Sequence, residues 1–171
     1  MGDAVFFFSR DYLIFLALLL FSRGADFLST WIATPTLALE GNPLAKKLGW
    51  KFGLLVNIAF CVAFAFYPFV AIIISTTSVL VAARNFQNAW LMRTLGEEGY
   101  RSWYVERLVE THLGLYLFCL FAQTALFALV GGALIYYSGY VIPSAIGIGI
   151  LTYAITVSFY TLLSVWRIRR K

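Results

Sequence analysis

The sequence predicts an all-α fold: a polytopic integral membrane protein built as a bundle of about five transmembrane helices plus a short interfacial helix. Two observations predict it. Hydrophobic residues make up 61% of the 171-residue chain and charged residues only 12%, whereas an average soluble domain is roughly 45 to 50% apolar. Long apolar runs also recur along the whole chain, and a helix of about 20 residues crosses the ~30 Å of bilayer hydrocarbon.

The five predicted spans are separated by short connections. They cover about residues 12–34, 51–67, 69–92, 111–136 and 141–166, and with their loops they form one transmembrane domain over 1–171. One alternative concerns Pro68, because a proline can also kink a longer helix, which would run over 51–83. Such a helix would be about 50 Å long, well above the hydrocarbon thickness, so the sequence favours two separate spans.

The stretch EEGYRSWYVERLVE separates the third span from the fourth. Its Tyr100, Trp103, Tyr104 and Leu108 recur at helical spacing among charges of both signs. This pattern predicts an amphipathic interfacial helix over about 97–110. A solvated connector with aromatic residues at the membrane surface is the alternative.

The basic residues predict the orientation of the chain, since loops rich in Lys and Arg stay in the cytoplasm. With five spans and a cytoplasmic RIRRK at the C-terminus, the N-terminus lies outside. The inner side then holds Lys46, Lys47, Lys51, Arg93, Arg101, Arg107, Arg167, Arg169, Arg170 and Lys171, and the outer side holds Arg10. The sequence therefore predicts a multi-pass protein of the plasma (inner) membrane, in contact with lipids, whose net charge of +5 requires no nucleic-acid partner.

The stretch SRGADFLST places charged residues in the middle of the first span. On a helix, Arg23, Asp26, Thr30 and Thr34 form one stripe, because they recur at three, four and four residues. An ionised side chain at the centre of a span costs about 2.5 to 3.5 kcal/mol. The stripe should therefore face the bundle or a wet cavity, with Arg23 as the simplest partner of Asp26.

The other spans also carry polar side chains in their cytoplasmic halves. These residues are Asn57 in the second span; Arg84, Asn85 and Asn88 in the third; His112, Tyr116, Cys119 and Gln123 in the fourth; and Thr156, Tyr160 and Ser164 in the fifth. One shared depth predicts a polar cavity that opens to the cytoplasm and is closed outside. The alternative is that these groups fix helix register, as buried ion pairs and interhelical hydrogen bonds do.

The loop EGNPL follows the first span, which Pro35 ends. Asn42 and Pro43 suit the cap and first position of a short helix that stops at Gly49. Glu40 has two interpretations. It is either a loop residue that is solvated or paired with a nearby lysine, or it joins Asn42 against Asp26 at the mouth of the cavity.

DFLST followed by EGNPL resembles the signature DxxST, then ExNPL, of a family of small, uncharacterised prokaryotic multi-span membrane proteins. The resemblance covers roughly residues 23 to 60. The motif positions are occupied by Asp26, Ser29, Thr30, Glu40, Asn42, Pro43 and Leu44. A lysine is common in the second span of that family where this chain has Asn57, so the arrangement of charges differs here. The family brings no established activity, and the resemblance implies a site without implying a reaction.

Three kinds of chemistry are compatible with these residues. Asp26, Glu40 and His112 could ligate a divalent cation, although no HExxH, ExxH or paired acidic motif is present. Arg23 and Arg84 could instead bind a lipid phosphate or a carboxylate. Asp26, Glu40 or His112 could also act as a general base, but no motif supplies a nucleophile. The sequence therefore leaves open which cofactor, if any, the protein uses and whether it is an enzyme.

The pattern favours a membrane protein whose cytoplasm-facing polar pocket binds or translocates a small polar or amphiphilic ligand, as a transporter would. The alternatives are a membrane-embedded enzyme acting on a lipid or isoprenoid substrate and a non-catalytic subunit or scaffold of a membrane complex. The candidate ligand-binding residues are Arg23, Asp26, Thr30, Glu40, Asn42, Arg84, Asn85, Asn88, His112, Tyr116 and Gln123. Five short-looped helices enclose little volume, so a homo-oligomer or a partner in a membrane complex is also compatible with the sequence.

Overall fold

The computed structural model describes residues 4–41 and 43–170. Within them the chain forms five α-helices: α1 (Arg10–Ala33), α2 (Pro43–Phe64), α3 (Pro68–Glu110), α4 (Leu113–Tyr137) and α5 (Val141–Arg169). Each is long and apolar enough to cross a membrane, which confirms the predicted all-α polytopic fold. Because α2 ends at Phe64 and Pro68 begins α3, the alternative of one long kinked helix is wrong.

Glycines with positive φ break two of these helices. Gly49 has φ 64° and ψ −173°, and separates a short helix at 43–48 from the apolar part of α2. Gly96 has φ 72° and ψ 162°, and separates the apolar part of α3, residues 68–95, from residues 97–110. Glycine reaches these angles because it has no Cβ. We call residues 97–110 the lateral segment.

The helices pack in one row in the order α2, α1, α3, α5, α4, and α2 also touches α3. Interhelical contacts establish their directions. α1 and α2 are antiparallel, since Tyr12 Oη donates to the Val62 carbonyl while Arg23 bonds Asn57. α1 and α3 are parallel, because their contacts advance together along both helices: Arg23 meets Ser78, and seven residues later Thr30 meets Asn85.

The contacts of α5 establish the remaining directions. Thr77 Oγ1 of α3 donates to the Gly149 carbonyl of α5 at 3.0 Å, and farther along both helices Arg169 bonds the Leu108 carbonyl, so α3 and α5 are parallel. α5 and α4 are antiparallel, since Thr124 bonds Ser158 while Gly131 lies against Gly147. Successive helices along the chain therefore run in opposite directions, and the first and last described residues lie at opposite ends of the bundle.

Candidate functional site

Arg23 joins the first three helices through its guanidinium. Nη1 lies 2.9 Å from Oδ2 of Asp26, one turn along α1, and 3.3 Å from Oγ of Ser78 on α3. Nε donates to Oδ1 of Asn57 on α2 at 2.8 Å, and Nη2 donates to the same oxygen. The predicted pairing of Asp26 with Arg23 is confirmed. We call Arg23, Asp26, Asn57 and Ser78 the arginine cluster.

Further hydrogen bonds connect α1 to α3 beside the arginine cluster. Asn85 Nδ2 donates to Oγ of Ser29 at 3.3 Å and to Oγ1 of Thr30 at 3.2 Å. Both hydroxyls in turn donate to the Asp26 carbonyl oxygen at 2.9 Å. The polar groups of these three helices therefore satisfy one another, as interhelical bonds that hold a membrane bundle together do.

Arg84 lies on a different face of α3. It stands seven residues, two helical turns, after Thr77, whose hydroxyl bonds to α5, so Arg84 faces the α5 side and not α1. It interacts electrostatically with Tyr100 and Tyr104 of the lateral segment. The hydroxyl of Tyr104 lies 3.0 Å from that of Tyr116 on α4. We call Arg84, Tyr100, Tyr104 and Tyr116 the tyrosine cluster.

Arg84 differs from Arg23 in its partners. Its side chain is half-buried, yet within residues 4–41 and 43–170 its guanidinium makes no ion pair or hydrogen bond. Arg23, by contrast, has a carboxylate, an amide and a hydroxyl around it. Arg23 is therefore neutralised inside the protein, whereas Arg84 is not neutralised by any described residue.

The structure divides the predicted polar set between these two clusters. α4 packs along α5 and contacts the lateral segment of α3 through Tyr116, away from α1 and α2, so the polar faces of all five helices do not meet in one cavity. Arg23, Asp26, Thr30 and Asn85 are brought together, whereas Arg84 and Tyr116 belong to the second cluster. Sequence reasoning assigned Arg84 and Asn85 to one cavity because they lie at the same depth, but adjacent helical residues point about 100° apart.

The remaining candidate residues lie apart from one another. Asn88 Nδ2 donates to the Arg84 carbonyl within its own helix at 2.9 Å. His112 is exposed at the start of α4, where its side chain makes no capping hydrogen bond. Gln123 is exposed and lines a small cavity between α4 and α5. Asn42 lies outside the described residues.

Glu40 lies close enough to Asp26 for the two carboxyl groups to interact electrostatically. His112 does not join them, because it caps the start of α4, which does not pack against α1 in the described part of the chain. In the same ranges no three His, Cys, Asp or Glu side chains converge in a way that could hold a metal ion. The described residues therefore do not form the possible cation site of Asp26, Glu40 and His112.

Sequence reasoning missed Glu97, which holds the loop after α1. Its Oε2 accepts hydrogen bonds from Oγ1 of Thr34 at 3.0 Å, from the hydroxyl of Thr36, and from the Ala38 N–H at 3.1 Å. Its Oε1 accepts the Thr36 N–H at 2.9 Å. The sequence signal was the pair of threonines around Pro35 in TPT, whose hydroxyls required a partner.

The lateral segment crosses this end of the bundle. It begins at Glu97, against the loop that follows α1. At its far end, Arg169 Nη2 of α5 donates to the carbonyls of Leu108 at 2.8 Å and Thr111 at 2.6 Å. Eleven residues of helix span about 16 Å, the distance expected across two adjacent helix–helix contacts of 8–10 Å each. The segment therefore covers the ends of α1, α3 and α5.

Replacing Glu97 by glutamine is expected to release the loop 34–41. Burial alone would raise the pKa of Glu97, but the hydrogen bonds from Thr36, Thr34 and Ala38 together lower it, so the carboxylate form is the one that the loop binds. A lowered pKa stabilises the bound loop at neutral pH, and this contribution is lost as the pH falls through that pKa. Hydrogen exchange of the loop amides should therefore speed up in E97Q at neutral pH and in the wild type only in acid.

The neighbouring Glu98 is the matched control, because it is exposed and holds no loop. E98Q should leave the exchange of residues 34–41 unchanged. Equal protection of these amides in E97Q and the wild type would contradict the assigned role of Glu97.

The two clusters differ in what they can do chemically. The arginine cluster is electrically paired and links α1, α2 and α3. The tyrosine cluster presents one unneutralised guanidinium and several phenol hydroxyls beneath the lateral segment, a set of donors suited to an anionic group. Comparison of the chain with protein-family models, with curated proteins and with solved structures finds no match.

Proposed function

We propose that this integral membrane protein binds a small polar or amphiphilic ligand at the tyrosine cluster, beneath the lateral segment. The observation that carries the proposal is Arg84, a half-buried cation on a membrane helix that makes no ion pair or hydrogen bond with the described residues. A charged side chain inside a span costs about 2.5 to 3.5 kcal/mol. A bound ligand that pairs with the guanidinium of Arg84 offsets this cost, which no ion pair with a described residue offsets.

We further propose that this end of the bundle faces the cytoplasm of a cell whose plasma membrane the five helices cross. The distribution of basic residues supports this orientation. The connections and helix ends on this side carry Arg93, Arg101, Arg107, Arg169 and Arg170, whereas the opposite side carries Arg10. Loops rich in arginine and lysine stay in the cytoplasm, which leaves the N-terminus outside.

Thermal unfolding of the purified full chain in detergent tests the proposal. Wild type, R84Q and the control R93Q, which replaces an exposed arginine nine residues later in α3, are each screened against lipids and anionic metabolites. A ligand that binds the folded state raises its unfolding temperature by mass action. We expect at least one compound to stabilise the wild type and R93Q and to have no effect on R84Q. If every compound leaves the wild type unchanged, the proposal is wrong.

A second candidate function is that of a non-catalytic subunit or scaffold in a membrane complex. The arginine cluster favours it, because its groups bond to one another across three helices. Under this function, substitutions in either cluster would weaken the assembly of the complex, and no small molecule would shift the unfolding temperature. The same screen therefore separates the two candidates.

A further inference from the structure

Four carboxylates of the described chain are engaged by partners other than Arg84. Asp26 pairs with Arg23, and Glu97 is occupied by the loop after α1. Glu106 and Glu110 both lie against Arg107, at 3.4 Å and 2.7 Å. None of these four carboxylates neutralises the guanidinium of Arg84.

The phenols around Arg84 are hydrogen-bond donors at neutral pH. Burial raises the pKa of Tyr104, and its hydrogen bond to Tyr116 acts in the same direction. Burial also raises the pKa of Tyr100, although Arg84 opposes the shift. Because both pKa values are raised, the two hydroxyls remain protonated beside Arg84. The rings of Tyr100 and Tyr104 stack with centroids 6.2 Å apart, so the two side chains lie on one face of the lateral segment.

The shape of this donor set distinguishes between anions. A carboxylate offers two oxygens in one plane, which a single guanidinium occupies fully. A phosphate group offers additional oxygens outside that plane, and here further donors reach the site from the lateral segment above Arg84 and from α4. The combination of one guanidinium with hydroxyls on separate elements therefore matches a tetrahedral anion better than a planar one.

We infer that the ligand of the tyrosine cluster is anchored by a phosphate group, which accepts hydrogen bonds from Arg84 and from the hydroxyls of Tyr100 and Tyr104. This inference rests on the proposed function and names the chemical class of its ligand. The phosphate belongs either to a lipid headgroup or to a water-soluble phosphate ester. Because both sources share one chemistry, the anchoring residues are the same for each.

The test measures binding to the purified full chain in detergent with three probes. Phosphatidic acid carries the phosphate on a lipid, diacylglycerol has the same tails without it, and glycerol 3-phosphate has the headgroup without the tails. Binding is followed by the shift in unfolding temperature as each probe is titrated. We expect phosphatidic acid, glycerol 3-phosphate or both to stabilise the wild type, and diacylglycerol to have no effect. The stronger of the two phosphates identifies the source.

Substitutions of Arg84 and Tyr104 test whether the phosphate group contacts the tyrosine cluster. R84Q should weaken binding of the phosphate probe about ten- to a hundredfold, the loss expected for a charge-assisted hydrogen bond. R84K should weaken it less, since it keeps the charge without the planar fork, and Y104F should weaken it without removing the charge. R93Q serves as the control and should bind as the wild type does. If R84Q fails to fold, R84K and Y104F still test the inference.

Two results would overturn the inference. Equal binding of the phosphate probe by the wild type, R84K and Y104F places the phosphate elsewhere. Stabilisation of the wild type by a ligand without phosphate, with neither phosphate probe effective, refutes the phosphate anchor but leaves the proposed function in place. If neither these probes nor the wider screen stabilises the wild type, the proposed function and the inference fail together.

Discussion

Replacing Arg23 by glutamine is expected to destabilise the protein by about 2.5 to 3.5 kcal/mol, the insertion cost of an unpaired charge within a span. The substitution leaves the Asp26 carboxylate without its cation, which lies 2.9 Å away in the wild type. It also removes both bonds to Asn57 and the contact with Ser78, so three helices lose a shared connection. The free energy of unfolding in mild detergent, measured by denaturant titration, checks the expected loss.

A double substitution separates the charge effect from the loss of packing. R23Q combined with D26N removes both charges, so it should recover part of the stability that R23Q alone loses, because no isolated carboxylate remains. The free energy of unfolding of D26N alone should lie between those of the wild type and R23Q. If R23Q is as stable as the wild type, or if the double variant is less stable than either single variant, the pairing of Arg23 with Asp26 does not stabilise the protein.

Replacing Gly147 by alanine is expected to force α4 and α5 apart. A Cβ at this position would lie 2.6 Å from the Gly131 carbonyl oxygen and 2.8 Å from Cγ1 of Ile135. The first of these atoms is backbone and cannot move aside without shifting the helix. Overpacking of this kind costs about 1 to 3 kcal/mol. The expected result is a lower unfolding temperature together with wider spacing of α4 and α5, which weaker disulfide crosslinking of a cysteine pair placed at positions 124 and 158 would report.

Gly132 provides the matched control on α4, since a Cβ there meets no atom within 4 Å. G132A should keep the stability of the wild type or exceed it slightly, because alanine favours a helix more than glycine does. If G147A and G132A have the same unfolding temperature, the close contact between Gly131 and Gly147 contributes nothing to the position of α4. The difference between the two variants therefore measures the contact itself.

Some features of this protein follow from local patterns in its sequence. Runs of apolar residues and the prolines at 43 and 68 determine where the helices form, because each signal acts within one segment. Gly49 lies where the short helix was predicted to stop, and Gly96 lies just before the predicted interfacial helix. The pairing of Arg23 with Asp26 was also predictable, since residues three apart share a helix face.

Only the tertiary structure decided which helices are neighbours, and therefore which polar groups meet. Arg84 and Asn85 are adjacent in sequence, but Asn85 bonds to α1 whereas Arg84 faces the α5 side of α3. Glu97 binds threonines about sixty residues earlier in the chain, a contact that no local spacing predicts. The order of helices in the row depends on non-local packing such as the contact of Gly131 with Gly147. Helical periodicity determines the face on which a side chain lies, and packing determines what that face meets.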